Sequence, residues 1–268
     1  MRVDLAGFGM AGQEVARRLV AGAIEGVTWT AVSARDLQKA RANAAKLDPA
    51  LAIVPLEKLP EHAEVIAECA TAEALPDILR VCLGAGRSVL VVSAAGLLGV
   101  PDVEDLARRS GGRLRIANGA LPGLDALRCA REGSIRSVRL TSRLRPDSLA
   151  HEDHVLGLGL DFSSRPPSEP VRVFGGSARE AAAAFPRHFN VAVALSIAGI
   201  GFDRTEIEVW ADPEVQGAVH QVDVDAEDIG LTMISRNRPS ANPRTSRIVA
   251  PSIVAGLRAM VAPLVAGG

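Results

Sequence analysis

Two patterns of apolar residues alternate along the first half of the chain. Short runs that are apolar almost throughout, such as 2–6 and 88–92, predict strands of a buried parallel sheet. Between them, segments such as 13–21 place their apolar residues on one helical stripe. The predicted strands are 2–6, 27–32, 53–55, 65–70, 88–92 and 114–116, and the predicted helices are 13–21, 37–47, 75–85 and 103–110. This alternation predicts a doubly wound, right-handed α/β domain.

The second half of the chain contains more strands and fewer helices. Segment 205–211 alternates apolar and polar residues with a period of two, which is typical of a half-buried strand. Ser177 is a candidate N-cap with Glu180 at the spacing of a capping box, and 189–199 predicts an almost wholly apolar helix. The predicted strands of this half are 137–143, 171–174, 205–211, 219–225 and 231–235. Because most connections between them are short, we predict a smaller α+β domain with an antiparallel sheet.

Three glycines follow the first predicted strand immediately. Gly7, Gly9 and Gly12 form a G-x-G-x-x-G motif between a strand and a helix. The first glycine allows a tight turn, the second lets the backbone approach a pyrophosphate, and the third lets the helix pack on the strand. The N–H groups around Met10 and Ala11 would then face the phosphates. The motif predicts a Rossmann-type dinucleotide-binding domain; the alternative is a tight turn that binds no ligand.

The end of the second predicted strand should distinguish NAD from NADP. The sequence there is Ser33-Ala34-Arg35-Asp36. Ser33 and Arg35 could bind the 2′-phosphate of NADP, because a guanidinium group binds phosphate through paired, charge-assisted hydrogen bonds. We therefore predict NADP. The alternative is NAD, with Asp36 on the ribose hydroxyl and Arg35 in solvent.

These patterns predict two domains. Residues 1–118 would bind the dinucleotide, and residues 119–245 would form the α+β domain that carries substrate and catalytic groups. The apolar segment 246–268 predicts a helix that returns to the first domain. In the second domain we expect helices on one face of the sheet and the nicotinamide ring at the other. Segment 147–170 predicts a long irregular loop, which is often a lid.

Composition and charge limit the functions that the chain can have. It has 268 residues, 48% hydrophobic, which is enough for a large core, and its net charge of −1 gives no electrostatic basis for binding nucleic acid or an anionic membrane. The longest apolar run, 191–200, is too short to span a bilayer, and Asp4 lies where a signal peptide would be apolar. The scattered Cys69, Cys82 and Cys129 show neither metal-ligand nor disulfide spacing and favour the reducing cytoplasm.

The chain also resembles the L-aspartate dehydrogenase family in a set of short motifs that follow the family's order. They are Gly-Ser-Ala-Arg-Glu-Ala-Ala at 176–182, Phe185-Pro186, Asn190-Val-Ala, 198–205, Ala211-Asp212-Pro213, His220 and 239–246. The resemblance implies an NAD(P)-dependent enzyme that deaminates L-aspartate to oxaloacetate through iminosuccinate, or catalyses the reverse amination. It also implies a small-molecule amino or oxo acid as substrate and a homodimer.

The resemblance assigns roles to particular residues. His220 falls on the catalytic histidine and would activate the water that adds to the imine, since imidazole titrates near neutral pH. Asn190, Ala120 and the pair Cys69-Ala70 would contact the cofactor. From the residues alone, His220 would be a core histidine, because it shares a strand face with Val222 and Val224. Capping would likewise account for Asn190 at the start of an apolar helix.

Two positions depart from the family's pattern where the substrate is expected. Arg145 stands where the family usually has lysine, and Ala218 stands where it commonly has asparagine. The candidate substrate residues are Arg145, Asn242, Arg244 and Thr245. Arg244 could clamp a substrate carboxylate, and a surface arginine is the alternative.

Three alternatives stay open at the level of sequence. The chain could be a related NAD(P)-dependent enzyme that acts on another amino, imino or oxo acid, or a dinucleotide sensor without turnover. His151 and His154 in the predicted loop could suggest a metal site. Two imidazoles without a third ligand favour a solvated loop instead, so we expect no metal.

Overall fold

The computed structural model of the protein describes residues 1–121, 123–185, 189–239 and 246–266. The chain divides into two compact units. The first contains Met1–Ala117 together with Val249–Gly268, and the second contains Asn118–Ile248. Within the described part of the chain, none of the helices combines the length and apolar character that a membrane span needs.

The first unit contains a parallel sheet. Its strands are β1 (Arg2–Ala6), β2 (Thr28–Ser33), β3 (Ala52–Ile53), β4 (Val65–Glu68), β5 (Ser88–Val91) and β6 (Arg113–Ile116). Among the described residues, these six strands pair in the order β3-β2-β1-β4-β5-β6, and every pair is parallel. The order reverses at β1, and ligands of doubly wound sheets bind at the carboxyl edge of that reversal. The predicted doubly wound domain is thereby confirmed.

Helices follow the strands of this sheet as predicted. They are α1 (Met10–Val20), α2 (Leu37–Ala44), α3 (Leu75–Ile78, continued by a π-helical turn at Leu79–Leu83) and α4 (Val103–Ser110). Short 3₁₀ helices lie at Leu56–Glu61, Ala72–Ala74 and Ala94–Gly99. Helix α1 begins at Met10, directly after the second glycine, and not at Gln13 as the apolar stripe indicated. The first turn of this helix is therefore part of the glycine motif itself.

The second unit contains a sheet that is mixed. Its strands are β7 (Ile135–Leu144), β8 (Val171–Ser177), β9 (Thr205–Ala211), β10 (Val219–Ala226) and β11 (Gly230–Arg236). They pair in the order β11-β10-β7-β9-β8, and the pairs are antiparallel except for β7 with β9. The predicted α+β class is confirmed, but the prediction of antiparallel pairing fails for this one pair. Sixty residues separate β7 from β9 (145–204), which is long enough for the crossover that a parallel pair requires.

In the described ranges, five helices belong to the second unit. They are α5 (Leu124–Arg131), α6 (Pro146–Leu149), α7 (Asp153–Gly157), α8 (Ala178–Ala184) and α9 (Asn190–Ala198). The predicted capping box is confirmed, because Ser177 and Glu180 exchange side-chain and backbone hydrogen bonds at the start of α8. Helices α8 and α9 both contact β9. The segment predicted as an irregular loop contains most of α6 and all of α7; Pro146 and Leu149 are buried in α6, and Val155 is buried in α7.

The last helix, α10 (Val249–Ala259), belongs to the first unit. Ile253, Val254 and Leu257 are buried in the same core as Val3 and Leu5 of β1. The helix ends before Pro263 and is shorter than the apolar segment indicated.

Candidate active site

The glycine turn of the first unit is wedged between two strands. Gly7 has a φ of 105°, and its N–H donates to the carbonyl oxygen of Ser33 at 2.8 Å. A Cβ on Gly7 would lie 2.5 Å from both the nitrogen of Ala70 and the carbonyl carbon of Cys69. A Cβ on Gly12 would collide with the carbonyl oxygen of Gly7. Both positions therefore require glycine for packing within the unit.

Gly9 differs from its two neighbours, because a Cβ there would meet no atom within 4 Å. The space beside Gly9 adjoins the N-terminus of α1, where Gly9 is the N-cap and its residue type offers no side-chain cap. Met10 follows with 44% exposure. Open space against a helix N-terminus fits an anionic pyrophosphate, so the residues present fit a dinucleotide.

The end of β2 places the three candidate ribose-binding residues differently. Ser33 is buried, with 5% exposure, whereas Arg35 and Asp36 are exposed. Asp36 Oδ1 accepts a hydrogen bond from the backbone N–H of Lys39 at 2.9 Å and so caps α2. The carboxylate of Asp36 thus has a local structural role, while the guanidinium of Arg35 projects toward solvent.

Glu68, at the end of β4, is a polar residue whose connections the sequence did not indicate. The side chain is fully buried and is surrounded by hydrogen-bond donors. Its Oε1 accepts from Ala70 N at 2.7 Å and from Ser93 Oγ at 3.0 Å, and its Oε2 accepts from Val92 N at 3.0 Å and Ser93 N at 2.9 Å. Burial raises the pKa of the carboxyl, although these donors act in the opposite direction. The only signal in the sequence is one acid at the end of an apolar strand.

Cys69 and Ala70 lie under the glycine turn through their backbone. Cys69 N donates to the carbonyl oxygen of Ala6 at 2.7 Å, which continues the β1–β4 ladder by one residue. Burial, and to a smaller extent the charge of Glu68, raises the pKa of the Cys69 thiol well above its usual value. The thiol is therefore protonated at neutral pH and is not an activated nucleophile.

His220, in the second unit, faces Ser142 across the β7–β10 ladder. Ser142 Oγ lies 3.0 Å from His220 Nδ1, and the two residues are paired in the antiparallel register. Both are buried, with 0% and 5% exposure respectively. Burial lowers the pKa of His220 to about 4, so the imidazole is neutral at neutral pH. A neutral ring can accept a proton, and the hydroxyl at Nδ1 restricts its orientation.

His220 and Ser142 project to the buried face of the sheet. This is the face that also carries Leu140 and Val222, which are fully buried. We expected the nicotinamide ring at the opposite, open face. The side chains of His220 and Ser142 do not point there, which follows from the strand parity that His220 shares with Val222.

A polar network links the neighbours of His220 within the second unit. Ser235, which pairs with His220 across β10 and β11, donates from Oγ to the carbonyl oxygen of Ala120 at 3.0 Å. Asn237 Nδ2 donates to the carbonyl oxygen of Ala218 at 3.1 Å, and Asn237 Oδ1 accepts from Ser246 Oγ at 2.6 Å. The hydrogen bond from Ser235 places Ala120 beside β11, the strand next to that of His220. The sequence did not point to Asn237.

The remaining site candidates have different surroundings. Asn190 is the first residue of α9 and is half-buried, and the N-cap is the preceding Phe189. Arg145 is exposed and forms a two-pronged ion pair with Asp147, at 2.9 and 2.6 Å. Asn242, Arg244 and Thr245 lie outside the described residues.

An arginine that the sequence did not single out has a buried partner. Arg143 Nη1 lies 3.1 Å from Oδ2 of Asp212, whose side chain is 5% exposed. The guanidinium carbon of Arg143 is 5.3 Å from the ring centroid of Trp210. Arg143 is thus fixed on the open face by one charge and one aromatic ring.

The two histidines of segment 147–170 lie in different environments. His154 Nε2 lies 3.1 Å from the carbonyl oxygen of Val173, and its ring packs edge-on against Phe174 and Phe185. His151 is exposed. Within the described ranges, no three His, Cys, Asp or Glu side chains gather as metal ligands would. The environment of His154 makes it an anchor for α7 on β8.

Comparisons with known proteins place this geometry in a family context. The family model described as "Aspartate dehydrogenase, C-terminal" matches residues 125–260, and the one described as "Homoserine dehydrogenase, NAD binding domain" matches residues 7–117. L-aspartate dehydrogenase 3 of Bordetella bronchiseptica is 42% identical over 99% of this chain and 97% of its own length. The L-aspartate dehydrogenase of Bradyrhizobium diazoefficiens is 40% identical over 100% of this chain and 94% of its own length.

Solved structures agree at the level of the fold. The aspartate dehydrogenase of Thermotoga maritima superposes with a TM-score of 0.76 at 22% identity, covering 100% of this chain and 99% of its own. A homoserine dehydrogenase from Thiobacillus denitrificans gives a TM-score of 0.63 at 15% identity, covering 98% of this chain and 74% of its own.

Proposed function

The chain belongs to the L-aspartate dehydrogenase family, and on that premise we propose that it interconverts L-aspartate with oxaloacetate and ammonia through iminosuccinate. The observation that carries the proposal is full-length similarity to two such enzymes, at 42% and 40% identity. The family-model match over residues 7–117 and the open space beside Gly9 support a nicotinamide dinucleotide as cofactor. When bound, that cofactor supplies the hydride acceptor for Cα of the amino acid.

Three groups of residues would hold the cofactor. Gly7, Gly9 and Gly12, with the N–H groups of Met10 and Ala11, would bind the pyrophosphate. Ser33 and Arg35 would bind the adenosine ribose. The remaining contacts would come from Cys69, Ala70, Ala120 and Asn190, as the family resemblance implies.

His220 is the proton-transfer residue of the proposed mechanism. Because its pKa is lowered to about 4, it is neutral and can remove a proton from the water that adds to the substrate imine. If Nδ1 carries the ring proton, it donates to Ser142 Oγ, and Nε2 presents the lone pair that accepts the proton. In the direction of amination, the protonated ring returns that proton.

Replacement of His220 tests this role. His220→Asn should place an amide where the imidazole met Ser142 and preserve the fold, yet lower turnover on the order of 100- to 10,000-fold. Binding of the dinucleotide, followed by fluorescence, should change little. His151→Ala is the matched control, since His151 is an exposed histidine of the same unit. Wild-type turnover in His220→Asn would reject the assignment.

Substrate identity is tested with purified protein, both dinucleotides and a panel of 2-amino and 2-oxo acids. We expect L-aspartate to give the highest kcat/KM. Arg145 would have to exchange Asp147 for the substrate carboxylate, and Asn242, Arg244 and Thr245 would supply further contacts. Turnover of another acid with none on aspartate would favour a related dehydrogenase. Dinucleotide binding without turnover of any acid would favour a sensor.

We also propose NADP as the preferred cofactor. The carboxylate of Asp36 caps α2, and the guanidinium of Arg35 is exposed beside the buried Ser33. Arg35→Ala should lower kcat/KM for NADP about tenfold and leave that for NAD nearly unchanged. Equal effects on both cofactors would contradict the proposal. We also propose that the protein is a homodimer, on the grounds of family membership, and that it is cytoplasmic, on the grounds of its cysteine content.

A further inference from the structure

The buried carboxyl of Glu68 joins two backbone segments that the sheet itself does not hold together. The β4–β5 ladder ends with the pair Ala67 and Leu90. Beyond this pair, Ala70 N is bound by Glu68 Oε1, and the N–H groups of Val92 and Ser93 are bound by Oε2. The side chain therefore replaces the ladder at the point where the two strands end.

Ser93, in the segment after β5, also binds the segment after β4. Its hydroxyl lies 3.0 Å from Glu68 Oε1 and also 3.0 Å from the carbonyl oxygen of Ala70. Ser93 is buried, with 5% exposure. Both polar groups of Ala70 are thus held by Glu68 and Ser93. Ala70 is also the residue against which Gly7 packs, so the connection reaches the glycine turn.

The order of the strands indicates which half of a dinucleotide these segments would serve. In the sheet, β2 lies on one side of β1, whereas β4 and β5 lie on the other. The adenosine ribose is read at the end of the strand that follows the glycine motif, which is β2. The segments after β4 and β5 therefore lie on the side of the nicotinamide half.

We propose that Glu68 is a positioning residue for the nicotinamide half of the cofactor. Its carboxyl holds the segments after β4 and β5 in the conformation that binds this half, and Ser93 completes the connection. Three backbone N–H groups, those of Ala70, Val92 and Ser93, donate to the carboxyl, and the Ser93 hydroxyl shares its single hydrogen between the carboxyl and the carbonyl oxygen of Ala70. A glutamine has the same size but only one acceptor oxygen, so it must turn an NH₂ group toward at least one backbone N–H.

The experiment measures the binding of whole and half ligands by fluorescence titration. The probes are NADP and NAD, and 2′-phospho-ADP-ribose and ADP-ribose, which lack nicotinamide. Glu68→Gln should weaken binding of the preferred dinucleotide on the order of tenfold. The affinity for the matching ADP-ribose compound, which lacks nicotinamide, should stay within about twofold of the wild-type value. The selective loss separates positioning from general damage. No turnover is needed, so failure of the proposed substrate would leave this result intact.

Asp4→Asn is the matched control. It too replaces a buried carboxyl by an amide, on β1 at the position paired with Ile66 of β4. It should bind all probes as the wild type does. Unchanged binding of the dinucleotide by Glu68→Gln, an equal loss for the half ligand, or the same loss in Asp4→Asn would each overturn the proposal.

Ser93→Ala covers the case in which Glu68→Gln does not fold. It removes only the hydroxyl between Glu68 and the carbonyl oxygen of Ala70. A weaker but still selective loss for the whole dinucleotide would support the proposal. Equal affinities for both kinds of probe, relative to the wild type, would overturn it.

Discussion

Ser142 and His220 face each other across two antiparallel strands, with the hydroxyl oxygen 3.0 Å from the imidazole Nδ1 and both side chains buried. The strand pair fixes the two backbones, so the hydroxyl is the group that restricts rotation of the ring. A neutral imidazole in this setting uses Nδ1 in its contact with the serine, so the proposed proton transfer would take place at Nε2.

Ser142→Ala should therefore lower kcat while dinucleotide affinity stays near that of the wild type. Loss of the oriented ring is expected to reduce turnover on the order of 10- to 100-fold. Steady-state kinetics and a cofactor titration measure the two quantities. Ser142→Thr, which keeps the hydroxyl, is the control and should recover part of the activity. Full activity in Ser142→Ala would remove Ser142 from the mechanism.

The pH profile should reflect the burial of His220. Its folded pKa, about 4, lies below its ordinary value of 6.5, so the folded state takes up the proton less readily than the unfolded state. The stability contribution of His220 is present above pH 6.5 and is lost as the pH falls toward 4. The acid limb of kcat/KM that belongs to His220 should likewise lie near pH 4. If the inflection of kcat/KM assigned to His220 lay near pH 6.5, the ordinary pKa of histidine, the result would contradict the burial of the ring.

The glycine turn predicts opposite phenotypes for two alanine substitutions. Gly7→Ala places a Cβ at positive φ and 2.5 Å from the backbone of Cys69 and Ala70, so it should destabilise the first unit. Gly9→Ala meets no atom within 4 Å and should fold normally. Its methyl group would occupy the space that we propose for the pyrophosphate, and dinucleotide affinity should fall about tenfold or more. Thermal unfolding and titration separate the effects. Unchanged affinity in Gly9→Ala would refute the assigned site.

Asp4 should limit stability at neutral pH. Its Oδ1 accepts from Thr30 Oγ1 and Ala31 N, whereas Oδ2 is buried without a hydrogen-bond partner in the described part of the chain. Burial raises the pKa of Asp4, so its contribution to stability is present at acid pH, below its ordinary 3.8, and is lost as the pH rises through the folded value. Asp4→Asn keeps the acceptor oxygen for Thr30 and Ala31 and removes the buried charge, so its stability relative to the wild type should rise with pH.

Urea unfolding of the wild type and Asp4→Asn at neutral and acid pH measures this difference. The advantage of the amide should shrink as the pH falls and Asp4 becomes protonated. A difference that does not depend on pH would show that charge burial is not its cause.

Asn237 should affect the substrate more than the cofactor. Its amide holds the carbonyl oxygen of Ala218 and the hydroxyl of Ser246, which flanks the segment that carries Arg244. Asn237→Ala should raise KM for aspartate about tenfold with little change in dinucleotide affinity. Asn237→Asp keeps the acceptor for Ser246 and should have a smaller effect. Equal changes in both ligands would indicate a general loss of structure.

Local sequence signals predicted much of the fold. The glycine motif, the apolar strands and the capping box of Ser177 and Glu180 depend on neighbours within a few residues, and the structure contains each of them. The parallel pairing of β7 with β9 escaped prediction, because 60 residues separate the strands (145–204) and periodicity carries no information on direction. The short helices α6 and α7 of this segment were missed because each has only one or two buried residues, too few to give a periodic pattern.

In the candidate site, too, local sequence predicted some features and missed those that depend on residues distant in the chain. The glycine motif predicted Gly7, Gly9 and Gly12 as cofactor residues and the family resemblance predicted His220, whereas nothing in the sequence pointed to the serines that contact His220 and Glu68. Ser142 lies 78 residues from His220, and Ser93 lies 25 residues from Glu68. Neither serine has a distinctive sequence neighbourhood. The role of Ser142 depends on the register of β7 with β10, and that of Ser93 depends on where the β4–β5 ladder ends. Both are defined only in the folded chain.

The return of α10 to the first unit has a consequence for biosynthesis. Strands β1 to β6 leave the ribosome early. The core around Val3, Leu5 and Leu90, however, lacks Ile253 and Leu257 until α10 has been synthesised. The nascent first half therefore carries an uncovered apolar face while the entire second unit is translated. Such a face attracts chaperones or other nascent chains, and a message truncated before codon 249 would encode a protein that never covers it.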